Sequence, residues 1–193
     1  MSLQMTPSQT VGPFLHIGTD WLTTANLAGN NVSGERVTIE GRLFDGNGNP
    51  VPDGLIEIWQ ANSHGKYAHP DDTRKLPLEP GFRGFGRVPT DSNGYFRFTT
   101  IKPGRVPGPG GKLQAPHIAV TVFARGLLKH LVTRVYFPDG QGNADDPVLN
   151  MVPADRRATL IAQPVPGKTG ALEWNIVIQG GARGQAETVF FDI

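Results

Sequence analysis

No cysteine occurs among the 193 residues. That absence excludes disulfides, Fe–S clusters and thiolate zinc sites, so any metal has to be held by Tyr, His, Asp or Glu. Neither sign of charge dominates: 18 Lys and Arg stand against 17 Asp and Glu, a formal net charge of +1. Spread along the whole chain, these charges make no electrostatic footprint for a polyanion, and nucleic acid is not expected as a partner. Long apolar runs are missing too. No stretch approaches the roughly 20 residues that span a bilayer. Met1 to Thr10 has neither a basic start nor an apolar segment, so a soluble, cytoplasmic protein without membrane contact is expected. No Ser-His-Asp or phosphate-loop pattern stands out.

Glycine and proline are plentiful, at 25 and 17. They fall between apolar runs and not in a low-complexity tract, which favours many turns over disorder. Alternating or β-branched and aromatic segments predict strands at Val37–Phe44, Leu55–Gln60, Tyr95–Thr100, His117–Ala124, Leu131–Phe137, Leu172–Ile178 and Thr188–Phe191. Asp45-Gly46, Asn47-Gly48, Asp53-Gly54, Asn93-Gly94 and Asp139-Gly140 supply turns that take positive φ cheaply. Pro153–Ala162 is the one helical candidate, and Asn62–Pro89 and Lys102–Pro116 read as long loops of functional or interfacial use. The first fifteen residues, with Pro7 and Pro13, read as an extended stretch ordered only by packing on something else. The expected architecture is all-β: an antiparallel β-sandwich with long loops and one short helix. Residues 1–36 would form an N-terminal arm and incoming loop, and residues 37–193 a single sandwich domain.

From Ile39 the chain reads Ile39-x-Gly41-x-Leu43, Gly48, Val51, Ile56-Glu57-Ile58, Trp59-Gln60-Ala61-Asn62 and Gly65-x-Tyr67. Further on come Phe85-Gly86-Arg87, Thr90-Asp91-x-x-Gly94-Tyr95, Ile101-Lys102-Pro103-Gly104, Pro116-His117-Ile118 and Thr133-Arg134-x-Tyr136-Phe137. The chain resembles the intradiol ring-cleavage dioxygenases over nearly its whole length, and the first block meets their signature at every defined position. The resemblance implies the sandwich fold and Fe(III) chemistry on a catecholic substrate, with dioxygen inserted between the two hydroxylated carbons. Family members hold the iron with two tyrosines and two histidines, hard phenolates and imidazoles that suit the ferric state.

Carried onto this sequence, that ligand set is half missing. Tyr67 stands at the first tyrosine, but Val106 occupies the second; His117 stands at the first histidine of a His-x-His pair, but Ala119 occupies the other. The resemblance therefore implies a degenerate site, no catalytic iron on this chain, and any metal found there adventitious. Members that cleave 3,4-dihydroxybenzoate occur in pairs, an iron-bearing beta chain with the full Tyr/Tyr/His/His set beside a chain with such a site. Thr6 to Phe14, Phe123-Ala124-Arg125-Gly126 and the tail Glu187–Asp192 look like the latter. This implies that Thr10, Gly12 and Pro13 wall the partner's substrate pocket and that Arg125 lies near the substrate carboxylate. An always-charged planar fork suits paired hydrogen bonds to a benzoate. The net reaction would be ring opening to 3-carboxy-cis,cis-muconate.

Other residues invite plainer assignments. Trp59, Trp174 and Phe98 are expected in the core, and Glu57 on the face opposite Ile56 and Ile58 in a structural role. His16, His64, His69 and His130 lack ligand spacing and are expected at the surface or at caps. Two competing functions remain: a non-catalytic β-sandwich binding or scaffolding module, favoured by the missing ligands, and a self-sufficient enzyme with a rearranged iron site.

Overall fold

A computed structural model of the chain describes residues 5–140, 142–181 and 184–192. Met1–Gln4, the start of the expected arm, lie outside these ranges. Alternate burial along each long strand builds two sheets. β1 (Arg36–Phe44) buries Val37, Ile39 and Leu43, and β2 (Leu55–Trp59) buries Ile56 and Ile58. After β3 (Phe85–Pro89) and β4 (Tyr95–Ile101) comes a two-stranded hairpin, β5 (Val106–Pro107) with β6 (Leu113–Gln114). β7 (His117–Phe123) and β8 (Leu131–Tyr136) follow, then three short strands, β9 (Gln163–Pro164), β10 (Ala171–Glu173) and β11 (Ile176–Val177).

One sheet runs β3-β2-β7-β8, antiparallel throughout. The other is built on β1, which pairs antiparallel with β4 and parallel with both β10 and β11. The sheets face one another through Ile39, Leu43, Phe96, Phe98, Leu172, Trp174 and Ile176 on one side and Ile56, Ile58, Val88, Ile118, Val120 and Val122 on the other. Antiparallel pairing thus dominates, with the expected sandwich. The parallel pairings depart from it.

Several local expectations are corrected. The helix is α1 (Pro13–Thr19), with proline in its first turn, and not Pro153–Ala162. Pro13 has no N–H to lose there and its φ is preset, so a helix opens within the stretch expected to be extended. In Pro153–Ala162 only a 3-10 turn forms, Arg157–Leu160. Ala162 N–H donates to the Tyr136 carbonyl at 3.0 Å, which draws the chain into extended form before an α-helix that short offsets its nucleation cost. Asn62–Pro89 is not wholly loop, because it ends in β3. Gly86 and Pro89 disguise that strand, yet β3 is an edge, where proline is tolerated.

The predicted strand Leu172–Ile178 is broken into β10 and β11 at Trp174-Asn175, where Asn175 Oδ1 replaces a ladder acceptor and takes the Arg42 N–H at 2.8 Å. Thr188–Phe191 is a strap and not a strand. Thr188 N–H donates to the Val177 carbonyl of one sheet at 3.0 Å, and Phe191 N–H to the Val132 carbonyl of the other at 2.8 Å. Residues 24–28 likewise bridge Arg87 of β3 and Thr99 of β4, burying Leu27 and Ala28 completely.

Two side-chain placements follow from strand parity. Ile56 and Ile58 point into the core, so Glu57 and Trp59 point out. Glu57 pairs with Arg87 across the strands, the expected structural role. Trp59, however, is outside the core, half-buried on the outer face of its sheet, while Trp174 and Phe98 are in the core as expected.

Candidate functional site

The first site is built where the sheet ends. Leu55 and Phe123 are paired across β2 and β7. Register alone therefore brings Asp53, two residues before Leu55, beside Arg125, two after Phe123. Arg125 Nε lies 3.0 Å from Asp53 Oδ2, and the Arg125 side chain is 72% exposed. A surface ion pair of this kind contributes little. The two terminal nitrogens of Arg125 have no partner among the described residues and remain available.

The turn after Arg125 reaches the arm. Gly126 has φ +88°, a left-handed conformation that favours glycine. Its N–H donates to Thr10 Oγ1 at 2.7 Å across 116 residues of sequence. Gly12, Pro13 and Arg125 then line a single cavity of about 210 Å³ together with His16 and Asp53. All four residues implied as pocket formers, Thr10, Gly12, Pro13 and Arg125, are thereby brought together. Sequence reasoning missed Asp53 and His16. The spacing Pro13 to His16 is one helical turn, a usable signal only once α1 is recognised.

Around this cavity the apolar side chains Phe14, Ile17 and Trp21 are 81%, 68% and 80% exposed. α1 buries none of its residues. A seven-residue helix with no buried face is not stabilised by this chain's own packing.

The second site lies on the outer face of the β3-β2-β7-β8 sheet. Tyr67 is set by a loop that only glycine permits: Gly65 has φ +74°, and a Cβ there would fall 2.2 Å from the Arg105 carbonyl oxygen. The Tyr67 ring stacks on Trp59 with centroids 5.8 Å apart and planes 4° apart. Burial raises the Tyr67 hydroxyl pKa, which the neighbouring Arg134 opposes. His117 and Ala119, two apart on β7, share this face, and Ala119 is paired with Trp59 on one side and Arg134 on the other. His117 is buried, and its Nδ1 hydrogen-bonds the Ala115 carbonyl at 2.8 Å. Val106 is buried in the hairpin opposite Gln114. His69 sits edge-on to Trp59, and His64 and His130 are exposed.

The residues present do not fit ferric iron. Val106 and Ala119 offer only hydrocarbon, and the Arg134 guanidinium acts on both Tyr67 and His117 as a cation. Among the described residues no group of three or more His, Cys, Asp or Glu side chains could hold a metal ion.

His117 also resists protonation. Burial first, and then Arg134, lowers its pKa from 6.5 to about 4. The folded state resists a proton that the unfolded chain accepts at 6.5, so stability holds above that pH and declines as pH falls from about 6.5 to about 4. At 1.36 kcal/mol per unit the decline is roughly 3 kcal/mol. Urea unfolding of wild type and His117→Gln at pH 7 and pH 4.5 checks this. The variant is expected to lose less stability between the two; equal losses would sink the assignment.

No helix among the described residues is long and apolar enough to cross a membrane. Residues 14–180 match the dioxygenase family model. The chain is 42% identical, over 207 aligned positions, to the protocatechuate 3,4-dioxygenase alpha chain of Burkholderia cepacia, covering 100% of this chain and 99% of that one. To the beta chain from the same organism it is 36% identical over 180 positions, covering 90% and 75%. Among solved structures, the dioxygenase domain of a dioxygenase carbohydrate-binding fusion from Streptomyces sp. SirexAA-E superposes with a TM-score of 0.62 at 24% identity, covering 82% of this chain and 89% of that one. With its sandwich, its signature and its alpha-chain relatives taken together, the chain belongs to the intradiol ring-cleavage dioxygenase family, on the protocatechuate 3,4-dioxygenase alpha-chain branch.

Proposed function

We propose that this chain is the non-iron subunit of a cytoplasmic heteromeric dioxygenase that opens 3,4-dihydroxybenzoate to 3-carboxy-cis,cis-muconate. The intradiol family works with Fe(III). The iron would sit in a beta subunit with the full Tyr/Tyr/His/His set and supply the oxidative chemistry there. This chain's own residues shape and charge the pocket. The carrying observation is the convergence of Gly12, Pro13 and Arg125 on one small cavity, with Thr10 tying the arm to the adjoining Gly126 turn.

Each residue has a distinct task. Thr10 fixes the arm to the Gly126 turn, and Gly12 and Pro13 form wall. Asp53 engages Nε of Arg125, which leaves the terminal fork for a carboxylate. A guanidinium meeting a carboxylate in a pocket closed to water is worth far more than the same pair in solvent. Exposed Phe14, Ile17 and Trp21 support docking of the arm on another chain, since a cluster of exposed aromatic and aliphatic side chains marks an interaction surface.

Co-expression tests the proposal. A beta-type chain carrying all four ligands, produced with this chain, is expected to yield a burgundy complex that cleaves 3,4-dihydroxybenzoate, while this chain alone is colourless and inactive. A beta chain equally active without this subunit would favour the scaffold reading. A coloured, active preparation of this chain by itself would establish the self-sufficient enzyme.

A further inference from the structure

A second cavity, about 500 Å³, opens on the same outer face at the β8 edge, between the C-terminal strap and residues 148–153. Its volume falls within the range of small-molecule sites, roughly 300–1,000 Å³. Val132, Met151, Val152 and Phe191 give it apolar walls, and Arg134 lines it together with Ala119. Ala119 stands directly across the strand pair from Arg134, so the missing imidazole leaves open space beside the guanidinium.

Arg134 has no anionic partner among the described residues. Its Nη1 donates to the amide oxygen of Gln114 at 2.6 Å, its guanidinium also hydrogen-bonds the Tyr136 hydroxyl, and it lies 5.8 Å from the Phe191 ring centre. The buried Asp146, behind Tyr136, is already engaged. It accepts the backbone N–H groups of Ala115, Val148 and Leu149 and the Tyr136 hydroxyl. Asp192, at the rim, is held by Lys129 at 2.5 Å. A half-buried cation with only neutral partners, facing apolar walls, calls for an anion with an apolar body.

We propose that this cavity, which adjoins the vestigial positions through Ala119, is a binding site for a small organic carboxylate, its charge on Arg134 and its body against Phe191, Val132 and Met151. An aromatic acid suits it best, because Phe191 offers a ring face and the planar guanidinium a carboxylate fork. The site is separate from the Arg125 cavity and does not depend on the role assigned there.

The test titrates the full assembly with 4-fluorobenzoate, followed by fluorine NMR, while the visible absorption of the ferric centre reports occupancy of the iron pocket. A class of sites that leaves the visible spectrum unchanged is expected. Arg134→Gln should weaken it at least tenfold, Arg125→Ala should leave it intact, and neutral 4-fluorobenzamide should bind at least tenfold more weakly. Met151→Trp alters an exposed side chain at the mouth, 79% accessible, and should block the site even if Arg134→Gln does not fold. Unaltered binding in Met151→Trp or in folded Arg134→Gln, or equal binding of acid and amide, would overturn the proposal. Failure of the Arg125 role would show only in turnover and in the visible spectrum.

Discussion

Replacing Arg125 by alanine in the assembled enzyme is expected to raise KM for 3,4-dihydroxybenzoate by about 10- to 100-fold with little change in kcat. The magnitude follows from a hydrogen bond to a charged group, roughly 1.5–3 kcal/mol, at about 1.4 kcal/mol per tenfold. The interaction binds ground state and transition state alike, so it acts on KM and not on the chemical step. A catechol without a carboxylate provides the control: its KM should not move, because nothing on it faces the guanidinium. Arg125→Lys should recover part of the loss, since a point charge replaces a fork. Steady-state kinetics with both substrates decides the matter. An equal effect on both would mean that Arg125 shapes the subunit interface and does not read the carboxylate.

The largest stability effect is expected at Gly41. A Cβ built there lies 1.8 Å from the Trp174 carbonyl oxygen and 3.2 Å from the Phe96 ring. Trp174 belongs to the break between β10 and β11, where its N–H donates to the Glu40 carbonyl at 2.9 Å. The closest obstacle is the Trp174 backbone, so no rotamer change relieves it. Gly41→Ala should cost about 3 kcal/mol or more. At roughly 2–4 °C per kcal/mol for a chain of this size, Tm should fall by about 6–12 °C. Gly18→Ala, where a Cβ meets nothing within 4 Å, should leave Tm nearly unchanged. Thermal melts of the two variants side by side check this; a Gly41→Ala melt matching wild type would refute the close-approach account.

Gly41 shows how much of the fold is legible in the sequence. Its place in Ile39-x-Gly41-x-Leu43 is visible in the chain, and the alternation around it predicts β1 within a residue. The reason for a glycine there is a contact with Trp174, 133 residues on, and that leaves no local mark. Hydrophobic period and Asx-Gly turns are local properties, which is why most long strands were readable. β3 escaped because Gly86 and Pro89 imitate a loop, and α1 because its first turn is opened by a proline in a stretch with no apolar stripe buried by this chain.

The candidate metal site divides the same way. Val106 and Ala119 are identities, and a side chain without a donor atom cannot ligate iron in any fold. That conclusion was complete in the sequence. The meeting of Thr10 with Gly126, the pairing of Asp53 with Arg125 and the placing of Arg134 beside Phe191 depend on strand register and on a tail crossing between sheets. Covalent order along the chain therefore determined which donor atoms are absent at Val106 and Ala119. Only tertiary structure, by bringing distant segments within hydrogen-bonding reach, decided where its remaining charges act.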